Sequence, residues 1–139
     1  MIICDTAPLF CLVDKSQLRH LAVKNFVKNN PTTLITTWSC FTEAMYLSLQ
    51  RGGWLMQNQL SKLLLQKLII LETIETADYI RLFQLMDKYK DRPMDLADGT
   101  LVIVAEKFNI NSILTFDSDF FFYLINDKQP FNVINLVGI

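Results

Sequence analysis

The sequence predicts a three-layer α/β/α domain on a mostly parallel sheet of about five strands. Three observations lead there. Short apolar runs rich in β-branched residues alternate with longer amphipathic segments. The segment 95–108 is apolar on most faces, as in a helix buried between other elements. No internal repeat, low-complexity tract or Gly/Ser-rich linker divides the 139 residues, so they read as one domain, 1–139.

Residues 1–4 form a short apolar run that stops at Asp5-Thr6-Ala7-Pro8, which suits a buried strand and its carboxyl end. Residues 9–13 continue apolar until Asp14-Lys15-Ser16. Over 16–28, Leu18, Leu21, Ala22, Phe26 and Val27 keep helical spacing, and Asn29-Asn30-Pro31 ends that helix. Residues 33–38 are a second strand. Ser39 can cap the next helix, which carries Glu43 and ends at Arg51-Gly52-Gly53. A leucine-rich helix over 54–66 and a third strand over 68–71 follow. Residues 76–91 predict an amphipathic helix with Tyr79, Leu82, Phe83 and Met86 inward. The buried helix 95–108 leads to a fourth strand over 112–116, an aromatic helical turn over 120–123 and a last strand over 131–136.

Composition excludes several classes. Hydrophobic residues make up 51%, too many for intrinsic disorder. No apolar run reaches the ~18 residues of a membrane span. The first residues reach an acid without a basic region, unlike a secretory signal. Cys4, Cys11 and Cys40 lack metal-ligand spacing and read as buried thiols of a reducing, cytoplasmic compartment. His20 is the one histidine, which disfavours His-rich metal sites and a Ser-His-Asp triad. Charge is uneven: residues 1–69 hold seven Lys/Arg against three acids, residues 70–139 six against eleven. A basic half can face a polyanion, although such lysines also serve as solvated helix faces.

The chemistry lies in the carboxylates. Asp95 and Asp98 stand three apart at a helix start, which fits an N-cap as well as a ligand pair. Asp5 follows strand one, Glu43 lies in the helix after strand two, and Asp117 and Asp119 follow strand four. Because helix 95–108 leads into strand four, its start belongs at that strand's carboxyl rim. Sites of open α/β sheets form on this rim. Ionised groups set in apolar sequence need pairing or a cation, and oxygen-only ligands suit Mg²⁺ or Mn²⁺. Such ions serve displacement at phosphorus.

In order, Ile3-Cys4-Asp5-Thr6-Ala7-Pro8-Leu9, Thr42-Glu43-Ala44, the stretch from Pro93-Met94-Asp95-Leu96-Ala97-Asp98-Gly99-Thr100 through Ala105, and Leu114-Thr115-Phe116-Asp117-Ser118-Asp119-Phe120 resemble the four motifs of PIN-domain ribonucleases. The similarity is greatest to the VapC-like toxins of bacterial toxin–antitoxin pairs and spans essentially the whole chain. It implies a PIN-like fold, a Mg²⁺- or Mn²⁺-dependent endoribonuclease acting on structured RNA such as tRNA, homodimerisation, and inhibition by a cognate antitoxin. It implies catalytic roles for Asp5, Glu43, Asp98 and Asp117, with Asp5 and Asp98 on the metal. Thr6, Asp95 and Asp119 are auxiliary candidates. Lys15, Arg19 and Arg51 are candidate RNA contacts. Gly99 departs from the Ala or Ser more usual there. The alternative is a catalytically inactive PIN fold that binds RNA or protein. Dehalogenase-type phosphatases need a second acid where Ala7 stands, and dinucleotide binding needs a glycine-rich turn after strand one.

Overall fold

The computed structural model describes residues 1–136. Its elements are β1 (Ile2–Cys4), α1 (Thr6–Val13), α2 (His20–Asn29), β2 (Leu34–Thr37), α3 (Trp38–Leu65), β3 (Ile69–Glu72), α4 (Tyr79–Lys88), α5 (Leu96–Phe108), β4 (Ser112–Leu114), β5 (Leu124–Ile125), β6 (Gln129–Pro130) and β7 (Asn132–Ile134). Five strands form one sheet in the order β3-β2-β1-β4-β7, with every pair parallel. The chain winds outward from β1 to β3, then returns across the sheet to β4. Right-handed crossovers therefore place α1–α3 on one face and α4–α5 on the other. Packing of α1 on α2 and α3, and of α4 on α5, agrees with this. The reversal makes the β1–β4 boundary the switch point, outside whose carboxyl ends a crevice forms. The antiparallel β5–β6 hairpin stands apart from the sheet.

Central to the core is α5, in which all nine residues from Ala97 to Ala105 are buried. The absence of a polar face explains why the sequence there shows no amphipathic stripe. Asp95 caps it, accepting the Asp98 amide on Oδ1 at 2.8 Å. Asn109 ends it in the left-handed region (φ 52°). Gly99 has a packing reason: a Cβ there would lie 2.6 Å from Leu82 Cδ1, so its absence lets α4 press close.

Several expectations need correction. The apolar residues after β1 belong to α1, which was not expected as a helix. The next helix begins at His20 rather than Ser16, because the Asp14 carboxylate accepts from the Ser16 amide and hydroxyl and from Gln17 Nε2, winding 14–17 into a turn. Leu18 and Leu21 are consequently exposed, and His20 and Val23 are the buried residues of α2. Thr37, not Ser39, caps α3. As expected, α3 is broken at Gly52-Gly53: Gly53 leaves the helical region (φ 64°) and kinks the segment into two helices. On α4, Leu82 and Leu85 are buried, whereas Tyr79 and Phe83 face outward beside a groove. The β5–β6 hairpin was not expected from the sequence.

Because Leu101 is fully buried in α5, Leu101→Ala should lower unfolding free energy by ~2–5 kcal/mol, measured by urea denaturation with an unchanged denaturant slope.

Candidate active site

The five parallel strands point their carboxyl ends at one rim, and five carboxylates arrive there from four parts of the chain. Asp5, Glu43, Asp95, Asp98 and Asp117 line a single cleft of about 330 Å³, together with Thr6 and Phe116. Asp5 comes directly off β1 and caps α1. Its Oδ1 accepts the Thr6 amide at 2.7 Å and its Oδ2 the Thr115 hydroxyl at 2.7 Å. Thr115 Oγ1 in turn accepts the Asp117 amide at 3.0 Å, so one hydroxyl ties two of the acids together. Asp117 caps the 3-10 turn Ser118–Phe121 by accepting the Asp119 amide. Glu43, exposed on α3, accepts the Thr6 hydroxyl at 3.2 Å. The α3 and α5 starts are joined by the Thr37–Thr100 hydroxyl pair at 2.8 Å, which fixes the helix bearing Glu43 against the helix bearing Asp98.

Asp98 has a strongly perturbed environment. It is 7% exposed, and its Oδ2 accepts the Tyr123 hydroxyl at 3.3 Å. Burial, and then the like charges of Asp95, Asp5 and Asp117, push its carboxyl up to about 8, against the opposing pull of the Tyr123 bond. Burial likewise raises Asp5, opposed by its Thr115 and Thr6 bonds. No basic side chain is bonded to Asp5, Glu43, Asp95, Asp98 or Asp117 among the ion pairs of the described residues. Buried oxygens carrying negative charge without a cation are the donor set that a hard divalent ion would neutralise. Among the described residues, however, no group of three or more His, Cys, Asp or Glu side chains is arranged to hold a metal ion. The acids share a cleft without closing a shell, an arrangement compatible with Mg²⁺, which usually takes one or two carboxylates and keeps its waters.

The remaining candidates separate clearly. Asp119 does not line the cleft; it pairs with Arg92 at 3.1 Å, whose guanidinium also lies 3.6 Å from the Phe122 ring centre. Arg51 is committed to Asp14 at 3.5 Å and Ser16 Oγ at 3.3 Å. Lys15 is exposed away from the cleft lining. Arg19 lies beside the cleft, its guanidinium 4.6 Å from the centre of the Phe116 ring that lines it. Sequence reasoning gave no role to Thr115, Phe116 or Tyr123. Thr115 and Phe116 lie inside a quoted motif, but Tyr123 meets Asp98 from 25 residues away and leaves no spacing signal. A second, apolar groove of about 590 Å³ lies along α3, α4 and α5, lined by Trp38, Tyr79, Phe83 and Leu96 among others. Leu96 is also the residue that follows the cap Asp95.

No protein-family model matches the sequence, and no curated protein matches it. Among solved structures, VapC20 of Mycobacterium tuberculosis, described as a toxin cleaving the sarcin–ricin loop, superposes with a TM-score of 0.78. The match covers 86% of this chain and 92% of that one at 19% sequence identity. The chain thus has the three-layer fold of that PIN-like toxin, as the motif resemblance implied.

A raised carboxyl in the folded state binds its proton more tightly than the unfolded chain does. The metal-free protein should therefore hold this stability in full below about pH 4, where both states are protonated. It should lose it progressively as pH rises to about 8. Thermal melts in chelator across that window should fall more steeply for the parent than for Asp98→Asn, with the variant the more stable at pH 8.

Proposed function

We propose that this chain is a metal-dependent endoribonuclease acting as the toxin of a toxin–antitoxin pair. The reading rests on one observation: acids from β1, α3, α5 and the segment after β4 line one cleft at the switch point, two of them buried without a basic partner. Asp5 and Asp98 are the residues that would hold Mg²⁺ or Mn²⁺. When bound, such an ion offsets charge on the phosphoryl oxygens and acidifies the attacking water. Glu43, exposed at the cleft, is placed to take a proton from that water, and Thr6 orients it through the 3.2 Å bond. Asp117 adds charge to the cleft and is held in register with Asp5 by Thr115. Arg19 on Phe116 offers a cation and a ring face to an RNA strand crossing the cleft.

A structured RNA substrate, tRNA or a ribosomal loop such as that named for the neighbouring toxin, fits a shallow cleft open to solvent. The apolar groove supports a protein partner, a cognate antitoxin, because exposed Trp38, Tyr79, Phe83 and Leu96 form one continuous patch beside the acids. Homodimerisation and a cytoplasmic site of action belong to the same proposal. No helix among the described residues is long and apolar enough to cross a membrane. The alternative, an inactive fold that only binds RNA or protein, gives no reason for unpaired buried carboxylates.

Purified protein should cleave structured RNA with Mg²⁺ or Mn²⁺ and lose that activity in chelator. Glu43→Gln should lower the rate by ~10²–10⁴-fold with folding intact. Cleavage that survives both chelation and Asp98→Asn overturns the catalytic reading. Expression should arrest growth unless the adjacent small reading frame is co-expressed, and indifferent growth removes the toxin role while leaving the nuclease.

A further inference from the structure

The Tyr123 side chain is the least accounted-for group near the cleft. It is fully buried, the largest such side chain, and does not line the cleft itself. A tyrosine hydroxyl in so apolar a place needs a partner, and the one it has is Asp98 Oδ2 at 3.3 Å. The ring is held from two sides. Tyr89 meets it edge-on at 4.9 Å and Phe120 at 5.1 Å, and Phe120 in turn packs on Phe131. Tyr89 is itself fixed, its hydroxyl accepting the Leu124 amide at 3.1 Å, one residue beyond Tyr123. An aromatic stack running from α4 to the segment before β5 thus ends in a single O–H aimed at one oxygen of one acid.

The geometry points to Tyr123 as a positioning residue: by occupying Asp98 Oδ2 it fixes the carboxylate's rotation and leaves Oδ1 to face the cleft and a divalent cation. This rests on the metal-dependent reading above, and it adds a residue outside the four acidic motifs. Partners of this kind, which touch a ligand and not the ion, change metal affinity by about 10–100-fold when removed. Packing alone would be served equally well by phenylalanine, which keeps the ring and loses the aim.

The experiment is Mn²⁺ titration by calorimetry on the parent, Tyr123→Phe, Tyr89→Phe and Asp98→Asn. The parent is expected to bind and Asp98→Asn not to bind. Tyr123→Phe should bind about 10–100-fold more weakly, with its RNA cleavage recovering at high Mn²⁺. Tyr89→Phe, which disturbs the same stack but keeps the Tyr123 hydroxyl, should stay within about twofold of the parent. If Tyr123→Phe matches a parent that binds, the positioning role is overturned and the metal reading stands. A parent that binds no Mn²⁺ overturns both. Should Tyr123→Phe lose the parent's circular dichroism, the parent alone decides: the Tyr123 Cζ resonance shifts on Mg²⁺ titration if the hydroxyl reports on a metal-holding carboxylate. An unmoved resonance overturns the inference.

Discussion

The mutual repulsion of carboxylates gathered at one sheet edge is the constraint on which the rest of the molecule depends. Burial, and after it the like charges of Asp95 and Asp117, raises the proton affinity of Asp5 and Asp98. A fold that tolerates this must supply donors to the buried carboxyl groups, and must hold the helices that carry the acids more firmly than the charges push them apart. Both requirements are visible. Thr115, Thr6 and Tyr123 supply hydroxyls or an amide to Asp5 and Asp98, and nine consecutive buried residues anchor α5 behind its acidic first turn. The hydrophobic helix and the polar cleft are two ends of one device, since rigid burial of the stem is what keeps the tip in place.

The same constraint explains what the sequence makes legible. Alternating β-branched strands and helices, the buried α5, and the convergence of acids on one rim could all be read from residue pattern, because each follows from local periodicity and the crossover rule. Asp95 illustrates where two readings meet: it is the N-cap of α5 and also part of the cleft lining, so capping and site were never exclusive. What escaped the sequence depends on contacts between distant segments. Leu18 and Leu21 keep helical spacing yet face solvent, because the Asp14 turn delays the helix start. Tyr79 and Phe83 keep the spacing of an inward face but line an open groove instead. Tyr123 lies in an aromatic run that gives no hint of its bond to Asp98, and the pairing of Arg51 with Asp14 and of Asp119 with Arg92 likewise joins segments distant in sequence.

The apolar groove and the acidic cleft share the start of α5 as a common wall, Leu96 on one side and Asp95 on the other. Anything seated in the groove lies within one residue of the helix cap. An occupant of the apolar surface would thus be sensed at the acids without a change in the fold, simply by its effect on solvent access and local dielectric.

Far from the cleft, the hairpin is fastened by an arrangement of the opposite sign logic. Arg81 grips Glu106 with two bonds of 3.0 and 2.8 Å and reaches Asp127 at 3.2 Å, Lys88 joins Asp127 at 2.8 Å, and Glu106 accepts the Asn126 amide. This clasp ties β5–β6 to α4 and α5, just after Tyr123 in the chain. The molecule therefore carries two electrostatic regions that answer ionic strength in opposite ways: added salt relieves the crowded acids and loosens the clasp.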